Sequence, residues 1–246
     1  MSLEFHEIAE TNHHILNPFT EEKLMLLGEI CQLQPTTRQL DLCCGKGEML
    51  CQWSRRWGIS GVGVDISPVF LAAAHQRAEE LGVSSRVHFI EADAGKYAAE
   101  ASSFDLVSCI GATWIGGGLA GTLRLMLPAL KPDGLLLVGE PYWNAAPPDE
   151  AYAALEVGRK DFTSLSGTLD RIEAAGLELV EMVLADGNSW DRYAAAQWRT
   201  LDDWLRAHPD APNAASIRET NARGKRSYLQ YERQYLGWGV FVLKPR

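Results

Sequence analysis

Much that would mark a membrane, secreted or nucleic-acid-binding protein is missing from this 246-residue chain. There is no uninterrupted run of about 18 apolar residues, the minimum for a membrane-spanning helix. The N-terminus, MSLEFHEIAETNHH, is acidic and lacks a basic segment followed by an apolar one, so it does not read as a secretory signal. Basic residues are in the minority, 23 Lys and Arg against 32 Asp and Glu, for a net charge of −9. Nucleic-acid binding rests on neutralising phosphates with basic side chains, so neither nucleic acid nor an anionic membrane surface is an expected partner. The five cysteines, Cys31, Cys43, Cys44, Cys51 and Cys109, are odd in number and form no C-x-x-C pair. That pattern excludes a disulfide framework or a zinc site and fits reduced thiols in a cytoplasmic protein with no metal. Internal repeats and low-complexity tracts are absent too.

What is present is an alternation of short apolar runs and helical periodicities. Residues 39–44, 61–66, 86–92, 104–110 and 135–139 read as strands, and 177–184 and 238–243 as a sixth and seventh. Helical spacing fills 46–57, 67–81, 119–130, 167–175 and 189–205, with Ser67-Pro68 as a start and Gly82 and Gly176 as stops. Strands alternating with helices predict a doubly wound α/β sheet, seven-stranded and mostly parallel. Continuous apolar runs such as LLLVG suit strands covered on both faces.

The first strand leads into a glycine loop and a helix, in LDLCCGKGE at 40–48. Glycine permits close approach of backbone to a ligand. Asp65 follows Gly47 by 18 residues at the end of the second strand, where a carboxylate can accept bonds from ribose hydroxyls. Asp93 closes the third strand, and in a doubly wound sheet such strand ends line one crevice. A dinucleotide fingerprint would need a small residue where Leu50 stands, and no phosphate-cradling G-x-x-x-x-G-K-[ST] occurs. A nicotinamide-dependent oxidoreductase is therefore the weaker enzyme reading.

The order of motifs resembles the class I S-adenosylmethionine-dependent methyltransferases, and within them the small-molecule branch typified by quinone-biosynthesis and cyclopropane-synthase-like enzymes. LDLCCGKGE resembles their glycine loop, GVGVDIS their ribose-binding strand end and FIEADAGKY their adenine-contacting strand end. FDLVSCIGATW and LKPDGLLLVGEPYW resemble the fourth and fifth strands, so the likeness spans roughly 35–185. HHILNPFTEEK and ADGNSWDRYAAAQW also resemble an uncharacterised bacterial group of that branch. The resemblance implies S-adenosylmethionine as cofactor, S-adenosylhomocysteine as product and an antiparallel last strand. By the same likeness Asp41 would orient the methionine amino group, and Gly45 and Gly47 would pass under the cofactor. Asp65 with Ile66 would meet the ribose side, Asp93 with Ala94 the adenine edge, and Cys109 to Gly111 the methionine portion. One departure is Cys43, which stands where the family has a glycine; adjacent Cys43 and Cys44 read as small buried residues rather than a redox pair.

Methyl transfer is an in-line displacement, so the enzyme must position its acceptor, and a base is needed only when the acceptor arrives protonated. Segments that this fold places over the methyl supply the candidates. For catalysis these are Glu140, His13, His14 and Tyr142; for the acceptor they are Asn17, Trp114, Trp143, Trp190, Asp191 and Tyr193. The two histidines are adjacent and share no helix face, so they are no metal pair. Convergence of Trp114, Trp143 and Trp190 into an aromatic wall would suit an ammonium acceptor. The basic run Arg223-Gly224-Lys225-Arg226 reads as a solvated surface that could greet an acidic substrate.

The expectation is thus one methyltransferase domain: an N-terminal lid at 1–34, a cofactor core at 35–185, a helical lid at 186–236 and a last strand at 237–246. It would move a methyl group to a small-molecule N, O or S acceptor. A non-catalytic sensor that kept the cofactor pocket is the reading from another class.

Overall fold

The computed structural model describes residues 2–246. Seven strands form one sheet: β1 (Arg38–Leu42), β2 (Ser60–Asp65), β3 (Val87–Glu91), β4 (Phe104–Ile110), β5 (Leu130–Trp143), β6 (Leu177–Leu184) and β7 (Leu236–Pro245). Their order is β3-β2-β1-β4-β5-β7-β6. The first five run parallel, and β7 is antiparallel to both β5 and β6. β5 is longer than the apolar run alone predicts. Lys131-Pro132-Asp133-Gly134 does not end the strand but bulges, because Leu130 already pairs with Phe104 before the register resumes at Leu106 and Leu135.

Helices cover the sheet. In chain order they are α1 (Leu3–Ala9), α2 (Glu21–Ile30), α3 (Glu48–Trp57), α4 (Pro68–Glu80), α5 (Leu119–Met126), α6 (Asp149–Ala154), α7 (Leu165–Ala174), α8 (Gly187–Ala207), α9 (Ala214–Ser227) and α10 (Arg233–Tyr235), with a 3-10 turn at Thr113–Gly116 and a π turn at Tyr228–Glu232. α4 begins as its sequence predicts: the Ser67 hydroxyl accepts from Phe70 N, with Pro68 in the first turn. α1, α2 and α6 lie in segments with no helical expectation, whereas α9 falls within the helical lid expected at 186–236. For α2 the available signal was Thr20, whose hydroxyl caps the helix, followed by two glutamates in the first turn.

One core cluster packs α5 and α7 against β1, β4 and β5 through residues such as Leu42, Leu123, Val138 and Ile172. A second packs α2 and α3 on the opposite face through Leu27, Trp53, Leu137 and Val240. Leu50, which breaks the dinucleotide pattern, is fully buried, and its Cδ2 lies 2.5 Å from where a Cβ on Gly61 would sit. The small residue that lets helix meet strand is here on the strand. Among the described residues no helix is long and apolar enough to cross a membrane, and no cluster of three or more His, Cys, Asp or Glu could hold a metal.

Candidate active site

The carboxyl ends of β1, β2, β3 and β4 open into one cavity of about 1090 Å³. Its floor begins at the glycine loop. Cys43, Gly45 and Gly47 all have left-handed backbones, with φ of 59°, 54° and 66°. The chain therefore keeps the loop conformation at Cys43 although a side chain there is strained. Gly47 caps α3 and does not line the cavity; a Cβ on it would strike the Phe89 ring, so it serves helix–strand packing.

Two carboxylates face this floor. Asp65 Oδ2 accepts from Gly45 N at 2.8 Å and Oδ1 accepts from Ser67 N at 2.9 Å. An ionised carboxylate has about four acceptor sites, so both oxygens keep a lone pair for a ligand. Asp41 accepts from the Ser108 hydroxyl at 2.7 Å. Burial lifts the Asp41 carboxyl to about 7 in spite of that bond, and the neighbouring Asp65 charge adds to the rise. Among the described residues no basic side chain pairs with either. These acceptors fit a ligand that carries both a cation and hydroxyl groups. Ile66, 57% exposed, and Trp114, 72% exposed, stand at the mouth with Asp93, and the buried Ala94 lines the cavity further in. Asp93 accepts from Gly95 N at 3.0 Å and pairs with Lys96 at 2.7 Å.

The roof is the segment before α2. The Lys46 ammonium, between the two loop glycines, donates to the carbonyls of Glu10, Thr11 and His13 at 2.7, 2.9 and 2.9 Å. Leu16 lies over Gly45, where a Cβ would meet its Cδ1 at 2.7 Å. Asn17 Nδ2 donates to Ile110 O at 3.5 Å, and its Oδ1 fills the space a Cβ on Gly111 would need. Glu10, with no solvent exposure, joins this strap to α8: Tyr193 Oη donates to it at 2.5 Å and Gln197 Nε2 at 2.6 Å, and His13 Nδ1 stands 3.1 Å away. Burial alone would raise the Glu10 carboxyl; His13 and Tyr193 outweigh it and hold it below its ordinary value.

Of the catalytic candidates only His14 lines the cavity, 3.9 Å from Glu48 Oε2. Asn17, Trp114 and Tyr193 line it among the acceptor candidates, and Asp41, Cys43, Gly45, Asp65, Ile66, Asp93, Ala94 and Gly111 among those for the cofactor. The others are elsewhere. Glu140 is buried and accepts from the Thr113 hydroxyl at 2.6 Å; burial lifts it to about 7 against that bond. Tyr142 packs over Gly237 of β7, with its hydroxyl 2.7 Å from a Cβ placed there. Cys109 lies buried beside Cys43 in the core. Asp191 is spent on Arg233 at 2.9 Å and the Tyr228 hydroxyl at 2.8 Å. The three tryptophans form no common wall: Trp143 packs on Tyr152 and Phe162, and Trp190 on the α2–α3 core. Glu10, Lys46 and Glu48 were not singled out by sequence reasoning. Lys46 and Glu48 sit inside the motif already in view, whereas the role of Glu10 in joining strap to α8 rests on partners 183 and 187 residues away.

Residues 40–134 match a family model described as a methyltransferase domain. Uncharacterized protein YjhP of Escherichia coli K12 is 50% identical over 242 residues, 97% of each chain. A crystal structure of a SAM-dependent methyltransferase from Geobacter sulfurreducens, in complex with S-adenosyl-L-homocysteine, superposes with a TM-score of 0.95 at 46% identity, over 100% of this chain and 99% of that one. Its counterpart from Thiobacillus denitrificans, also with S-adenosyl-L-homocysteine, gives 0.94 at 43% identity, over 100% and 99%. Family model, sequence relatives and solved structures agree with the glycine loop and its two carboxylates: the chain belongs to the S-adenosylmethionine-dependent methyltransferases.

Proposed function

We propose that the protein transfers a methyl group to an N, O or S atom of a small molecule held in the cavity beside the glycine loop. The observation that carries this reading is the pair Asp41 and Asp65, two carboxylates without basic partners on the floor of one cavity. When bound, S-adenosylmethionine supplies a methyl group activated by its sulfonium. Asp41 is suited to its amino group, because a cation beside a buried carboxyl relieves the cost of ionising it. Asp65 keeps two lone pairs for the ribose, with Ile66 and Ala94 along the nucleoside and Gly111 toward the methionine end. The strap excludes water: Lys46, Leu16 and Asn17 bring it down on the loop, which concentrates the effect of correct positioning. His14, at the rim, is the one histidine of the predicted pair placed to take a proton from an acceptor that arrives protonated. No part in the transfer is assigned to Glu140, Tyr142 or Asp191, which do not border the cavity. Residues before 35 and between 186 and 236 act as lids in this reading.

Calorimetry with S-adenosylhomocysteine tests it. Wild type should bind one equivalent, and a screen of metabolite extracts with labelled methyl donor should yield a labelled product. Absence of binding would sink the reading.

A further inference from the structure

The cavity is larger than one ligand needs. Sites for single small molecules span about 300–1,000 Å³, and this one reaches about 1090 Å³. Its two halves differ in chemistry. Toward Asp41 and Asp65 it is acidic. Toward α2 its wall is Phe19, Leu24 and Met49, which keep a little accessible surface on the cavity side, backed by the fully buried Leu27 and Val240 of the same apolar core.

Charged groups bordering this second half are already spoken for. The Lys46 ammonium is saturated by three carbonyls. Glu48 takes two bonds from Arg77, both at 2.8 Å, and one from Gln52 at 2.8 Å. The Tyr193 hydroxyl is shared between Glu10 and Leu16 O. Glu156, at the far rim, pairs with Arg223 at 3.4 Å. A charged acceptor would leave water for a wall with no counter-ion to offer, which is unfavourable. Two polar groups retain bonding capacity near the junction of the halves: the neutral Asn17 amide and the His14 imidazole, whose side chain is 69% exposed.

We propose that the methyl acceptor is an uncharged, lipophilic small molecule, its apolar body against Phe19, Leu24 and Met49 and its polar tip at Asn17. The assignment rests on the methyl-transfer reading and narrows it. Free amino acids, ammonium compounds and phosphorylated acceptors are excluded by the same accounting of charge.

The test is equilibrium dialysis on protein first saturated with S-adenosylhomocysteine, using three probes of one ring system: 2-naphthol, 2-naphthalenesulfonate and 2-naphthylmethylammonium. One equivalent of 2-naphthol should bind, at least tenfold tighter than either ion. Met49→Gln, close in length but polar, should weaken 2-naphthol fivefold or more; Leu24→Asn, similar in size but polar, repeats the test should the first variant fold poorly. No 2-naphthol binding, equal binding of an ion, or unchanged binding in both variants overturns the acceptor assignment. The separate titration of S-adenosylhomocysteine reports on the parent reading alone, so the two failures are distinct.

Discussion

Floor and roof of the cavity are held in opposite ways. On the floor, Asp65 reaches Gly45 across 20 residues and Ser67 across two, and each carboxylate sits at the end of a strand paired to its neighbours. On the roof, the contacts Tyr193–Glu10, Gln197–Glu10, Asn12–Thr200 and Lys23–Asp186 join residues 183, 187, 188 and 163 apart. The floor is therefore part of the sheet and opens only when the sheet does. The roof is held by these polar latches and by an apolar cluster of its own, Phe5, Ile8 and Ala9 against Leu201, Leu205 and Ile217, so it can open as a unit separate from the sheet. In the reading proposed above, the floor recognises the cofactor and the roof governs its exchange.

Breaking the floor has the largest expected effect. Asp65→Ala removes the acceptor of two backbone N–H groups and the two lone pairs left for the ribose. Hydrogen bonds to a charged group contribute about 1.5–3 kcal/mol each, so affinity for S-adenosylhomocysteine should fall roughly 100-fold or more. Calorimetry reads this directly; an unchanged affinity would show that the carboxylate only shapes the loop.

Lys46→Met breaks the roof while sparing the floor. Loss of the charged donor to three carbonyls should speed release of S-adenosylhomocysteine by about tenfold, the worth of roughly 1.4 kcal/mol. It should also expose the chain between α1 and α2 to limited proteolysis. If stopped-flow release is unchanged, the strap is no latch.

A pH series separates the two regions without a large perturbation. Asp41 rises from 3.8 to about 7 on folding and Glu140 from 4.5 to about 7, both chiefly by burial. In that window the native state binds more protons than the unfolded one, so stability falls as pH rises through it and is fully retained only below the unfolded values. Denaturation of the free protein should accordingly show declining stability from about pH 5 to about pH 8. A bound ammonium beside Asp41 favours its ionised form, so S-adenosylhomocysteine should bind more tightly as pH rises over the same range. Asp41→Asn should abolish that binding trend, whereas Glu140→Gln should flatten the stability slope and leave the trend intact. The reverse pattern would place the cation at Glu140.

The smallest effect concerns Cys43. A left-handed non-glycine residue costs about 1–2 kcal/mol, and glycine's added freedom in the unfolded chain returns about half of that. Cys43→Gly should raise the melting temperature by about 1–4 °C, given about 2–4 °C per kcal/mol at this chain length. A lower melting temperature would mean that packing of the Cys43 side chain in the core outweighs the strain.

Most of the sheet was legible in the sequence. Strand ends from β1 to β4 lie within about two residues of their apolar runs, and Ser67, Pro68, Gly82 and Gly176 mark helix ends as their chemistry predicts. Legibility failed where pairing overrode local signals. Leu130 joins β5 across a Pro-Asp-Gly stretch because Phe104 is there to receive it. Glu140, Tyr142 and Trp143 follow a strand expected to reach the crevice, yet their side chains go to Thr113, Gly237 and Tyr152. Alternation along a strand says that neighbours take opposite faces, not which face holds the ligand.

By itself the sequence determined the alternating α/β architecture, the glycine loop and the strand-end carboxylates, since each depends on residues close together or on a two- or 3.6-residue period. Only the tertiary structure decided the roof. That Glu10, Tyr193 and Gln197 meet, that Lys46 spends its charge on the strap, and that Phe19, Leu24 and Met49 border one cavity depend on contacts among segments distant in the chain. No local period encodes them, because the free energy that selects such contacts is gained only when the segments are already packed.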